Sequence, residues 1–329
     1  MSTYVVTGGC GFIGSYVIKE LLKSAATDTF IYNIDKMGIG SSEENIVKDK
    51  RVQNLFMDIS NDDHWRLHMA NPLEFIDRDV DYVIHLAAES HVDRSIDNPL
   101  SFVDSNLKGT ANVLELVRKY NARMVHVSTD EVYGHLGKDD PPFTEESPLA
   151  PRSPYSATKA GSDLLVQSYI ETFGIDASIT RCCNNYGPRQ HDEKLIPTVI
   201  RSIVQGDKIP IYGTGENIRE WIHAEDHANA ILQVLFDDVP AHIYNITGSA
   251  CRTNVTLVNY IIDIIEAIYP EYIREPEGAR IEYVEFVKDR KGHDFKYQLS
   301  TKHSLSAVDS QRPFELKPTV NHYVEKYRA

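Results

Sequence analysis

Short β-branched and aromatic runs alternate with amphipathic stretches along the first half of the chain. Ser2–Thr7, Phe30–Ile34, Val52–Met57, Tyr82–Leu86, Met124–Ser128 and Ala177–Arg181 predict strands. Phe12–Lys23, with Phe12, Ile13, Val17, Leu21 and Leu22 at helical spacing, predicts a helix, as do Leu100–Tyr120 and Ser156–Phe173. Alternation sustained over this length predicts an α/β fold built on a doubly wound parallel sheet. Its crevice should lie beyond the carboxyl ends of the strands. Asp35, Asp58, Ala87, Thr129 and Cys182 fall at those ends.

After Asn184 the pattern loosens into loops rich in Gly, Pro and Asn. Ala224–Phe236 predicts a helix returning to the sheet, and Leu257–Tyr269 an amphipathic helix. The final 25 residues read as polar and poorly patterned. The expected division is a dinucleotide-binding domain over residues 1–183 plus about 220–246, and a smaller mixed substrate lobe over 184–219 and 247–329.

Charge narrows the function classes. The chain carries 34 basic and 48 acidic residues, a net charge of −14, which argues against nucleic acid as a partner. An anionic small molecule remains possible in a local basic pocket. Cys10, Cys182, Cys183 and Cys251 form neither a C-x-x-C pair nor a zinc spacing, so free thiols of a cytoplasmic protein are expected. Cys182 and Cys183, adjacent on a strand, should point to opposite sides. The first strand begins at once, so no leader peptide is expected, and no apolar run is long enough for a membrane. No residue cluster has metal spacing.

Two motifs carry chemistry. Gly8-x-x-Gly11-x-x-Gly14 joins a strand to a helix, where glycines allow a tight turn and the helix N-terminus attracts a pyrophosphate, as in a Rossmann dinucleotide site. Asp35 is placed to hydrogen-bond an adenosine ribose, favouring NAD, while Lys36 beside it keeps NADP open. Asp58 and Ile59 are placed to meet the adenine. Tyr155 and Lys159, four apart on one helix face, suit proton transfer beside a nicotinamide; the ammonium should lower the tyrosine pKa. Thr129-Asp130-Glu131 follows the fifth strand. Paired acids usually only cap and solvate a loop, but burial against a cofactor splits them into an acid and a base. Arg219 and Arg290 suit bidentate phosphate contacts, with Lys194 and His293 as further cations. Asn184, Asn185 and His91 are candidate ligand contacts.

These residues fall in longer matching segments: Thr7–Ser15, Leu86–Ile96, Ser128–Gly134, Ser153–Asp163, Arg181–Pro188, Glu193–Pro197, Asn217–His223 and Asp289–Asp294. Together they resemble the extended short-chain dehydrogenase/reductase superfamily and, within it, the dTDP-glucose 4,6-dehydratases. The glycine and Tyr/Lys motifs mark the superfamily; the Thr-Asp-Glu triplet marks the dehydratases.

The resemblance implies a tightly held NAD. It adds Phe12, Ile13, Leu86, Ala87, Ala88, Ser105, Ser128 and Asn185 to the cofactor site, alongside Tyr155 and Lys159. It implies that Tyr155 takes the C4 hydroxyl proton, Thr129 hydrogen-bonds the C4 oxygen, Glu131 removes the C5 proton and Asp130 protonates the departing C6 hydroxyl. Asn184, Lys194, Leu195, Pro210, Tyr212, Arg219, Asn254, Arg290 and His293 would hold the nucleotide diphosphate, with Ser90 and His91 near the sugar. It also implies a homodimer packed through the helices near 100–120 and 156–173. The choice between dTDP and UDP stays open. A nucleotide-sugar 4-epimerase, which needs no C5 base, and a non-catalytic NAD-binding regulator are the competing readings.

Overall fold

Every residue of the first strand, β1 (Thr3–Thr7), is buried, because both faces of the sheet it belongs to are covered. Tyr4 and Val6 enter one hydrophobic core and Val5 the other, as the two-residue period of a strand requires. The computed structural model describes residues 2–24, 28–61, 63, 76–236, 242–248, 250–273, 283–300 and 313–328.

Strands follow as β2 (Phe30–Asp35), β3 (Val52–Phe56), β4 (Tyr82–His85), β5 (Arg123–Thr129), β6 (Ala177–Cys182), β7 (Asn184–Tyr186), β8 (Ile209–Tyr212), β9 (Ile218–His223), β10 (Ile243–Ile246), β11 (Ala250–Thr253) and β12 (Val284–Val287). A seven-stranded sheet has the order β10-β6-β5-β4-β1-β2-β3, and each of its pairings is parallel. The order reverses between β1 and β4, which opens the crevice where a ligand sits in such sheets. Two smaller sheets, β11-β9-β7 and β12-β8, lie in the second half of the chain.

The first helix, α1 (Phe12–Ser24), packs on α7 (Ala224–Leu235), the helix expected to return to the sheet. The single helix predicted over Leu100–Tyr120 is instead composite. It comprises α3 (Pro99–Phe102), a π-helical segment (Val103–Lys108) and α4 (Gly109–Tyr120), preceded by the short α2 (Val92–Asp97). The π segment carries Asn106. This side chain accepts from Glu89 N (2.8 Å) and donates to Glu89 O (3.1 Å) and Thr158 Oγ1 (3.0 Å). The irregular turn thereby ties the loop after β4 to α5 (Pro154–Phe173), a common use of π-bulges near functional sites.

A capping box starts α5: Ser153 Oγ accepts from Ser156 N and Ser156 Oγ accepts from Ser153 N, with Pro154 at the first helical position. That start sets Tyr155 in the first turn and Lys159 one turn later.

A third core joins α6 (Leu195–Gln205), α8 (Asn254–Ile268) and α9 (Lys317–Arg328). α9 corrects the expectation of an unpatterned tail, although residues 301–312 lie outside the described residues. Its apolar stripe, Val320, Tyr323, Val324 and Tyr327, faces this core, and the first three are fully buried against α6 and α8. Tyr323 also donates to Gln190 O at 2.6 Å. Replacing Tyr323 with Ala should cost about 3–5 kcal/mol, read as a lower unfolding midpoint in denaturant. An unchanged midpoint would mean that α9 is not part of the folded unit.

Candidate active site

Close packing at three glycines shapes one end of the crevice. Gly8 has φ +77°, and a Cβ there would lie 2.7 Å from Ala87 N. A Cβ at Gly14 would lie 2.2 Å from Gly8 O, so β1, the turn and α1 approach as only glycine permits. Gly11 has only Gly8 O and Gly40 O near its missing Cβ, at 3.1 and 3.8 Å, and borders open cleft. The first-turn amides of α1 face this space, a natural anion seat. Asp35 accepts from Cys10 N (2.9 Å), Met37 N (2.8 Å) and Ser41 Oγ (2.7 Å), which fixes its carboxylate at the rim.

Lys36 meets Glu89 at 2.8 Å, Ser105 Oγ at 2.9 Å and Asp58 at 3.9 Å. Its charge is thus compensated by protein carboxylates, which disfavours a 2′-phosphate and leaves the site suited to NAD. Asp58 departs from expectation: it lies two residues past β3, accepts from Ser60 N and Ser60 Oγ at 2.8 Å each, and does not line the cleft. Every other residue expected to hold the cofactor lines that one cleft, Ile59, Ser128 and Asn185 included. Ser128 Oγ is buried without a hydrogen-bond partner among the described residues.

The five catalytic candidates line the same cleft. Thr129 ends β5 and caps a 3-10 turn over Asp130–Tyr133, its Oγ1 accepting from Glu131 N and donating to Asp130 Oδ1 at 3.2 Å. Asp130 is 3% exposed and its Oδ2 has no hydrogen-bond partner among the described residues. Burial, then the neighbouring Glu131 charge, raises its pKa well above the usual carboxylate range. Glu131 is also raised by burial, but Arg290, Arg219 and Lys194 pull it back down. The two acids therefore differ in the counter-charges they see: Glu131 faces three cations, whereas the leading electrostatic influence on Asp130 is Glu131 itself.

Lys159 donates to Val127 O at 2.8 Å, and burial pushes its pKa down to about 8. The expected lowering of Tyr155 does not appear. Burial, then the Glu131 charge, raise it, and the neighbouring Thr129 hydroxyl opposes them. Its ring packs edge-on against Phe102, with centroids 6.3 Å apart. The strand alternation expected for Cys182 and Cys183 also fails: β6 ends at Cys182, and the two buried thiols interact.

The expected substrate residues divide into two groups. Ser90, Asn184 and Lys194 line the cleft, Lys194 donating to Ser90 O at 3.3 Å. His91 lies beside it, 3.4 Å from Glu193. Leu195 opens α6, Asn254 opens α8, and Pro210 and Tyr212 lie in β8; none of these four lines the cleft. His293 pairs with Asp289 at 2.6 Å and sits edge-on to Tyr212. Arg219 is 5% exposed and donates to the carbonyls of Ile218, Asp294 and Phe295, so its charge, more than its N–H groups, reaches the acids. Arg290 retains a buried Nε without a partner, a donor suited to a phosphate oxygen. Among the described residues, no three His, Cys, Asp or Glu side chains converge as a metal site.

Glu89, Gln190, His191 and His227 also line the cleft but were not singled out by sequence. Glu89 is adjacent to Ser90 and was within reach of the motif. His227 arrives on α7, and its Nδ1 contact to Asn185 Oδ1 (2.9 Å) depends on a pairing of distant elements.

The model of the family described as GDP-mannose 4,6 dehydratase matches residues 5–304. A dTDP-glucose 4,6-dehydratase of Haemophilus influenzae is 40% identical over an alignment 346 positions long, gaps included, covering 98% of this chain and 98% of that protein. The chain belongs to the dTDP-glucose 4,6-dehydratase family. Another dehydratase of this name, from Neisseria meningitidis serogroup B, is 41% identical over 310 residues, covering 90% and 85%. The crystal structure of the dTDP-glucose 4,6-dehydratase DesIV from Streptomyces venezuelae, with NAD and TYD bound, superposes with a TM-score of 0.86 at 39% identity, covering 98% and 97% of the two chains.

The raised Asp130 pKa makes a stability prediction for this dehydratase-family site. The folded state binds that proton more tightly than the unfolded chain does. Stability is therefore full below the ordinary aspartate pKa and declines as pH rises towards the raised folded value. Asp130→Asn removes this decline. Its melting temperature should exceed that of the native chain by a few degrees at neutral pH, and the gain should vanish near pH 3. A variant no more stable at neutral pH would contradict the buried, unpaired state of the acid.

Proposed function

We propose that the protein is an NAD-dependent hydro-lyase of deoxysugar biosynthesis that converts dTDP-glucose to dTDP-4-keto-6-deoxyglucose. The observation that carries this reading is the acid pair. A buried carboxyl that keeps its proton lies beside one drawn towards ionisation by three cations, both bordering the cleft of Tyr155 and Lys159. A dehydrogenase or 4-epimerase needs only the Tyr/Lys pair. Elimination of water needs a base for C5 and an acid for the C6 oxygen.

NAD fits the glycine turn, Asp35 and the compensated Lys36, and when bound it supplies the hydride acceptor for C4 and the hydride donor for C6. The protein residues handle the protons. Tyr155 Oη takes the C4 hydroxyl proton, which requires Lys159 as an ammonium because burial alone opposes the phenolate. Thr129 Oγ1 hydrogen-bonds the C4 oxygen. Glu131 removes the C5 proton and Asp130 delivers its proton to the departing C6 hydroxyl. Lys194 and Arg290, with His293 and Tyr212, are the residues we assign to the diphosphate, and Ser90 and His91 to the sugar.

The same reading gives residues 1–183 with about 220–246 to the cofactor, and 184–219 with 247–329 to the nucleotide sugar. It also makes the protein a homodimer. Leu100 and Val103 on the composite helix are 72% and 40% exposed, and Leu164 and Phe173 on α5 are 56% and 47% exposed. Such apolar side chains on neighbouring helices suit helix-to-helix packing between two copies.

Glu131→Gln tests the assignment. The variant should still bind NAD and oxidise C4, seen as the near-ultraviolet absorbance of reduced cofactor. Release of water should fall by about 10²–10⁴-fold. Undiminished dehydration would remove Glu131 from the C5 step. Faster turnover of UDP-glucose than of dTDP-glucose would reassign the base.

A further inference from the structure

We propose that Asp163 is a positioning residue for the reaction, holding Lys159 in its ammonium form from one helical turn away on α5. The inference rests on the role given to Lys159 above and concerns what keeps that lysine charged.

Lys159 and Asp163 are four apart on one helix face, where side chains are neighbours. Both are buried, Lys159 at 4% exposure and Asp163 at 0%. Asp163 is shared. Arg181, 2% exposed on β6, donates from Nε to its Oδ2 at 2.9 Å and from Nη1 to Tyr133 Oη at 2.9 Å. Asp163 Oδ1 makes no hydrogen bond and faces His126 Nε2 on β5 at 3.5 Å. His85 on β4 lies beyond, held between Thr7 Oγ1 (2.7 Å) and Thr110 Oγ1 (3.0 Å), its ring centroid 5.2 Å from that of His126.

The groups beneath the catalytic lysine are thus Tyr155 on its own helix, His85, His126, Arg181 and Asp163. Burial holds both histidines neutral, His126 down to about 4 and His85 well below its ordinary value. Two buried cations therefore lie around one carboxylate, Arg181 in direct contact and Lys159 one helical turn away beyond ion-pair distance. A guanidinium cannot shed its proton, whereas an ammonium can. Asp163, kept ionised by its contact with the neutral His126 ring and by the Arg181 guanidinium, is, among the described residues, the charge that acts on Lys159, and it opposes the loss of the ammonium proton. Without it, burial would leave the lysine neutral near the working pH.

The test reads the lysine directly. NAD-loaded protein containing [ε-13C]lysine is titrated by NMR, and the Lys159 resonance is identified by its loss in Lys159→Arg. Asp163→Asn should lower the Lys159 midpoint by about one pH unit or more, while Asp163→Glu, which keeps the charge, should leave it within a few tenths. If Asp163→Asn alone fails to fold because Arg181 is left unpaired, Asp163→Asn with Arg181→Met removes both charges and should show the same lowering. An unmoved midpoint in either folded variant, or an equal shift in Asp163→Glu, would overturn the proposal. The alkaline limb of turnover should move with the lysine midpoint. A native protein that titrates in this way but dehydrates no nucleotide sugar would count against the proposed activity and not against the role of Asp163.

Discussion

Two carboxyl groups buried side by side at the end of β5 are the constraint on which the rest of the site depends. Adjacent acids removed from water cannot both ionise without an opposing charge. The chain answers by giving them unequal surroundings. Asp130 is turned inward, bonded to Thr129 and left with one oxygen unpartnered. Glu131 faces cations drawn from three separate segments, Lys194 at the head of α6, Arg219 in β9 and Arg290 in the loop after β12. One acid keeps its proton and the other is prepared to accept one. The same pairing of titratable groups with divergent environments recurs wherever acid and base work is done within one cleft.

That arrangement explains why the fold needs two halves. The parallel sheet supplies a rigid floor: β1 and its glycine turn, β2 ending in Asp35, and β5 delivering Thr129. The smaller sheets and their helices supply the positive charges. Neither half alone would set the proton affinities, since the acids belong to one and their cations to the other. The floor is itself electrostatically organised, with Arg181 and Asp163 paired beneath Lys159 and two neutral histidines filling the space between. The buried polar layer is costly unless fully matched, and its remaining unpaired atoms lie close to the chemistry.

Much of this was legible in the sequence where local rules decide the outcome. Six of the seven strands of the large sheet, α1 and α5 follow from hydrophobic period, and their ends fall within a few residues of expectation; β10 was not expected. The glycine turn and Tyr155/Lys159 have fixed spacing, so they carry their geometry with them. What was not legible depends on distant pairing. The stripe of α9, Val320, Tyr323, Val324 and Tyr327, is diluted by the polar residues between them and acquires meaning against α6 and α8. The π-helical break in the Leu100–Tyr120 stretch is set by Asn106 reaching Glu89 and Thr158. Arg219 resembled a phosphate ligand, yet the loop at 294–295 engages its N–H groups. Tyr155 shows the limit of pairwise reasoning: a lysine four residues away predicts a lowered pKa, but burial and then the Glu131 charge raise it.

The most direct test of the account is proton NMR of the sugar after incubating the purified protein with dTDP-glucose in heavy water. The account predicts a new C6 methyl group, a C4 ketone and deuterium at C5, because Glu131 exchanges the C5 proton with solvent during elimination. A recovered sugar with its C6 hydroxyl intact, whether unchanged or inverted at C4, would contradict the division of labour between Asp130 and Glu131.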